Sequence, residues 1–266
     1  MTVRSLPVYF LLAFGIAWGV FALFILAPEQ VTAVFGPVSA RNPLFFLAVW
    51  SPAISAVILV LASGGVGGLR RYLSRLALWR APAPWYLLLL FGIPAIYYAG
   101  ALIKGNATDP VPVSGLGEAV AAMFFMLILG PIEEFGWRGL AMPLLQRLMT
   151  PLAAGLVLGV IWGVWHLPAF YLSGTPQSNW AFLPFFAGSV SISVILTPLF
   201  NASRGSILLP LLYHFQLNGP LWPDAQPYDT IFFVAAAVIV VWLNRGTMFT
   251  REGAVTDIIP PAAPTT

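Results

Sequence analysis

Residues 118–147 read EAVAAMFFMLILGPIEEFGWRGLAMPLLQR, an apolar stretch long enough to cross a bilayer, with two adjacent carboxylates near its middle. A membrane helix needs about 20 mainly apolar residues. A charged side chain at the bilayer centre costs about 2.5–3.5 kcal/mol on insertion scales. Such a stretch keeps Glu133 and Glu134 only where they pair or do chemistry. The rest of the chain fits the same solvent: its 266 residues are 59% hydrophobic and 8% charged, with a mean hydropathy of +0.89. Soluble domains run near 25% charged, and so few charges cannot cover a water-soluble fold of this length.

Seven further apolar stretches lie at 6–27, 43–63, 85–103, 151–172, 179–200, 206–222 and 230–244. The expected fold is therefore all-α, a polytopic transmembrane helix bundle of about eight spans, forming one domain over residues 1–252. The first stretch exceeds the roughly 7–15 residues of a signal-peptide core and is followed by no small-x-small cleavage site, so it reads as a retained span. Residues 253–266, GAVTDIIPPAAPTT, are expected to form a short, disordered cytoplasmic tail.

Placing the N-terminus in the cytoplasm puts Arg4, Arg70, Arg71, Arg75, Arg80, Arg138, Arg147, Arg204, Arg245 and Arg251 at cytoplasmic ends, and only Arg41 and Lys104 on the other side. That bias is the positive-inside pattern and gives an N-in, C-in orientation. Within Gly68–Pro82, Leu69, Tyr72, Leu73, Leu76 and Trp79 recur at helical spacing among four arginines. This predicts a short interfacial helix on an anionic leaflet, or a basic loop that merely obeys topology. With no cysteine, disulfides and thiolate metal sites are excluded. No Lys/Arg run interleaves with aromatics, so nucleic acid is not an expected partner.

Seven of the nine acidic residues fall in connections or tails or, for Glu118, at the first position of a stretch, leaving Glu133 and Glu134 inside a span. Both histidines, His166 and His214, also lie in apolar stretches, as do Arg138 and Asn218. Glu134 and Arg138 are four apart, on one helical face, and can pair. His214 and Asn218 share the same spacing. At about 1.5 Å rise per residue, Glu133 lies roughly 20 Å from Arg147, His166 a similar distance from Pro151, and His214 about 12 Å from Ser206. These depths overlap, and the expected approach to them is from the cytoplasm.

A carboxylate beside an imidazole can activate water as a general base. A second histidine with a carboxamide can donate hydrogen bonds to an oxyanion. Alternatively, Glu133, His166 and His214 could hold zinc and leave a fourth position for water. Asn201, near the end of the sixth span, reads as a helix-end residue.

The ordered set Glu133-Glu134-x-x-x-Arg138, Trp162-x-x-x-His166 and His214-x-x-x-Asn218 resembles the signature of the CPBP family, which includes type II CAAX prenyl endopeptidases and bacterial Abi proteins. Members more often carry Phe where this chain has Trp162. The resemblance implies an eight-helix bundle in a membrane, here expected to be the bacterial plasma membrane. It implies an intramembrane endopeptidase acting on a membrane-associated peptide or a lipidated, CAAX-type protein. Glu133 would be the general base, helped by His166; His214 and Asn218 would hold the oxyanion; Glu134 and Arg138 would support by pairing. No metal is preferred, because both histidines already have hydrolytic roles; zinc on Glu133, His166 and His214 is the alternative. Other readings are a non-proteolytic scaffold or bacteriocin-immunity protein of the same family, and a proton-coupled transporter.

Overall fold

The computed structural model describes residues 1–111 and 113–261. Among these the secondary structure is entirely helical, as expected. Helices long and apolar enough to cross a membrane are α1 (Ser5–Leu26), the segment Pro43–Ala77, α4 (Ala83–Lys104), α5 (Leu116–Gln146), Pro151–Tyr171 and α7 (Phe182–Ala202). Pro43–Ala77 comprises α3 (Pro43–Leu73) and a closing 3₁₀ turn, and Pro151–Tyr171 starts with α6 (Pro151–Trp165). The last two expected spans form shorter apolar helices, α8 (Leu208–Leu217) and α9 (Asp229–Leu243). One short helix, α2 (Pro28–Phe35), sits in the connection after α1.

Local chemistry explains where the helices that carry the site begin. Asn42 caps α3: its side-chain oxygen accepts from the Leu44 and Phe45 amides at 2.9 and 3.4 Å, and Pro43 follows in the first turn. Thr150 and Pro151 open α6 in the same way. A side-chain acceptor satisfies an orphan amide, and proline lacks the amide that would be orphaned.

In the bundle α1 runs along α3, and α7 lies between α6 and α9. The α6–α7 approach depends on missing side chains. A Cβ at Gly159 would sit 2.7 Å from the Val190 Cα, and one at Gly155 would sit 2.6 Å from the Thr197 hydroxyl oxygen. Small residues at crossings let backbones close up where lipid supplies no hydrophobic driving force.

Helix α5 is not uniform. It runs regularly to Leu129, tightens into a 3₁₀ turn at Pro131–Glu133, resumes at Glu134–Gly136, and widens into a π turn at Trp137–Ala141. Pro131 removes one amide from the ladder, and such irregular turns recur at functional sites. The Glu134–Gly136 turn packs between α3 and α8.

Two expectations are corrected. The basic segment after the second span does continue as helix, past a kink at Gly65 (φ 59°), but Arg75 does not face a leaflet. It is 2% exposed and donates to the carbonyls of Gly139 (2.6 Å), Gly205 (2.7 Å) and Ile258 (3.1 Å). A buried guanidinium needs acceptors, and carbonyls of the π turn, the α7–α8 connection and the C-terminal tail meet its Nε and Nη1. The expected disordered tail is docked as far as residue 261. Arg147 donates to Thr256 O at 2.6 and 2.9 Å, Gln146 to Val255 O at 2.8 Å and Arg71 to Pro260 O at 3.1 Å, while Ile258 is 2% exposed. Residues 262–266 of that tail lie outside the described residues.

Candidate functional site

The polar residues picked out by the sequence converge inside the bundle. A cavity of about 440 Å³ is lined by Glu133 from α5, His166 at the end of α6, and His214 and Asn218 at the end of α8. Glu134 and Arg138 are fully buried behind it, at 0% exposure, while Glu133 and His214 are 3% and 4% exposed.

Glu133 is held by tryptophans. Its Oε2 accepts from Trp162 Nε1 at 2.9 Å and Trp137 Nε1 at 3.1 Å. Among the described residues its Oε1 takes no protein donor, and Glu133 lines the cavity. No hydrogen bond joins Glu133 to either histidine among the described residues. Sequence reading missed both indoles. Trp137 was accessible to it, since Glu133 and Trp137 share the four-residue spacing that pairs Glu134 with Arg138.

Glu134 gathers the second half of the site. Its Oε1 accepts from Arg138 Nη1 at 3.0 Å and from His214 Nδ1 at 2.8 Å. The ion pair expected from spacing is therefore present, with His214 added across 80 residues of sequence. Arg138 also lies over the Trp162 ring, 5.1 Å from its centroid, a cation–π contact. A buried pair of this kind is weak evidence for net stability, but losing one partner strands the other.

The imidazoles are oriented by their Nδ1 atoms. His166 Nδ1 lies 2.8 Å from Trp162 O, a bond that only a protonated Nδ1 can make to a carbonyl. His214 Nδ1–H likewise donates to Glu134. Both rings then direct Nε2 elsewhere. They stand edge-on to the Trp162 ring at 5.4 Å each. His214 Nε2 faces Gly130, where a Cβ would come within 3.4 Å of it and would overlap Asn218 Nδ2. Gly130 is therefore the gap into which the Asn218 carboxamide fits. Asn201 stands apart from the cavity, pairing with Gln146 at 2.7 and 3.0 Å.

The alternative zinc set is Glu133, His166 and His214. No three His, Asp or Glu side chains among the described residues are grouped to hold an ion.

The loop end of the cavity is lined by Ala40, Gln177, Trp180, Trp222 and Gln226. These belong to the connections before α3, between α6 and α7, and between α8 and α9. Arg70, Arg71, Arg80, Arg147, Arg204 and Arg245 lie at the other end of the helices, and none lines the cavity. An N-in orientation and cytoplasmic access to the site, both expected, therefore do not hold together. Depth along single helices carried no information about which end the cavity reaches. Asp229, counted from sequence among the connections, is 2% exposed and lines the same cavity.

Residues 115–219 match the family model for Rce1-like type II CAAX prenyl endopeptidases. A protein named CAAX prenyl protease 2 from Methanococcus maripaludis is 31% identical over 172 residues. That alignment covers 60% of this chain and 62% of the relative, so the chain spans less than two thirds of that protein's length. The resemblance drawn from the three motifs is borne out, and all three lie within the matched segment.

Proposed function

We propose that this chain is an intramembrane endopeptidase of the CAAX-protease type, in which Glu133 activates water to hydrolyse a peptide bond of a membrane-associated or lipidated substrate. The supporting observation is convergence. Three helices place Glu133, His166, His214 and Asn218 on one cavity, with Glu133 Oε1 unclaimed and both imidazoles fixed through Nδ1.

In this reading Glu133 Oε1 takes a proton from water as the oxygen attacks the scissile carbonyl. His166 Nε2 accepts a hydrogen bond from the same water and holds it in line. The carbonyl oxygen gains the electron pair of the broken π bond. The Asn218 amide N–H stabilises it, as does His214 Nε2 when the ring carries its second proton. Collapse of the tetrahedral species breaks the C–N bond, and the proton on Glu133 passes to the leaving amine. Glu134 and Arg138 position His214 and Trp162 without touching substrate. The cavity is mostly apolar, with Phe45, Leu129, Phe185 and Ile192 in its wall, which suits apolar side chains or a lipid chain. Taken with the charge bias, the loop end of the cavity faces away from the cytoplasm.

The test is hydrolysis by purified protein in liposomes, using a farnesylated CAAX peptide and unprenylated membrane peptides. Glu133→Gln should reduce kcat by about 10³-fold or more with normal protein yield, and a chelator should leave the wild type unchanged. Equal cleavage by wild type and Glu133→Gln would overturn the proposal. Chelator-sensitive cleavage restored by zinc would move the mechanism to a metal.

A further inference from the structure

The wall of the cavity carries polar atoms that the hydrolytic scheme does not use. At its loop end lie Asp229, in the first turn of α9, with Gln226 and Trp222 just before it. Asp229 Oδ1, Gln226 Oε1 and Trp222 Nε1 are all buried without a hydrogen-bond partner. Gln226 Nε2 reaches Asp229 Oδ2 at 3.4 Å, a long contact that leaves Oδ1 open. The nearby cation, Lys104, is bound to Asp224 at 2.7 Å instead. Among the described residues no lysine or arginine lines the cavity.

A carboxylate inside a membrane protein persists when something pairs with it. A helix N-terminus favours negative charge, but Asp229 Oδ1 is still left without a hydrogen-bond partner. Two acceptor oxygens, one of them charged, form a seat for N–H donors. A free α-carboxylate placed there would meet Asp224 and Asp229 with no free cation beside it.

We propose that Asp229 and Gln226 form a specificity subsite that takes a cationic side chain, ammonium or guanidinium, of the peptide substrate close to the scissile bond. The subsite rests on the endopeptidase reading for its role, and it disfavours substrates that place a carboxylate at that position.

The experiment uses the full chain in liposomes and a set of fluorescent membrane peptides. In each peptide one position within a few residues of the cleavage site is Lys, Gln or Glu. Wild type should favour Lys over Glu at one or two positions by about tenfold or more in kcat/KM, and Asp229→Asn should bring that ratio close to one. A Lys-to-Glu ratio that is the same in wild type and Asp229→Asn, or a preference for Glu, overturns the subsite. Binding of the same peptides to Glu133→Gln protein, with and without Asp229→Asn, separates the subsite from the chemistry. A charge preference in binding that depends on Asp229, without cleavage by wild type, upholds the subsite and defeats the protease reading. Binding that ignores charge overturns the subsite whatever the cleavage result. If Asp229→Asn does not fold, Gln226→Met replaces it and should lower the Lys preference in the same assays.

Discussion

Replacing Gly130 by alanine would test the site without removing any group that does chemistry. Gly130 has φ −76° and ψ −47°, ordinary right-handed helical values that alanine adopts without strain. On propensity alone the change stabilises a helix by about 0.5–1 kcal/mol. The added methyl would overlap Asn218 Nδ2 and meet His214 Nε2 at 3.4 Å, an ordinary contact. Asn218 therefore moves and His214 stays. Restoring van der Waals separation takes a shift of about 1 Å or more, enough to carry a donor out of the roughly 2.7–3.1 Å window that an oxyanion needs. Loss of one such donor costs about 2.7–4 kcal/mol in kcat, or about 10²–10³-fold. The expected result is a fall of that size in kcat, with KM little changed and thermal stability equal to or above wild type. Steady-state hydrolysis in liposomes and a melting curve measure the two sides. Asn218→Ala should fall equally, and the double variant should fall no further. Gly130→Ala protein that keeps kcat within about threefold, while Asn218→Ala loses about 100-fold, would refute the argument that this gap positions the carboxamide.

The buried pair and the orientation give two more tests. Glu134→Leu or Arg138→Met alone should each destabilise the protein by about 3–5 kcal/mol, because the surviving charge is stranded; the double variant should recover much of that stability. Activity should not recover, since His214 loses its Nδ1 partner in both Glu134 variants; recovery would show that His214 needs no such anchor. Because the chain has no cysteine, Asn179→Cys and Glu252→Cys can be labelled singly. An impermeant maleimide added to intact cells should reach Asn179→Cys and spare Glu252→Cys until the membrane is opened. The opposite pattern would put the cavity mouth in the cytoplasm and make the charge bias misleading.

What the sequence made legible follows from how strong each signal is. Apolar spans and the ionisable residues inside them stand out because insertion penalties are large, and the i,i+4 rule then predicted the Glu134–Arg138 bond. That His214 would choose Glu134 rather than Glu133 depends on how α8 docks against the Glu134–Gly136 turn, which no local spacing encodes. The two indoles on Glu133 carry no signal of their own, because tryptophan in an apolar stretch is ordinarily a packing or interfacial residue. Asp229 was lost to a single residue of boundary: a span begun at 230 leaves it in a connection, whereas α9 begins with it. The tail was read from its prolines, although Val255, Ile258 and Ile259 were there to bury.

Trp162 bonds Glu133, lies under Arg138 and stands against both imidazoles. In a mutational scan it would rank beside Glu133, though it moves no proton and carries no charge. Its deletion would remove four contacts together, so variants that combine it with changes at those neighbours would depart widely from additivity. Phenylalanine there would keep the ring faces and drop the indole N–H, leaving Trp137 as the sole donor to the carboxylate. As donors to the carboxylate the two indoles are redundant, so Trp162→Phe should cost less alone than when combined with Trp137→Phe.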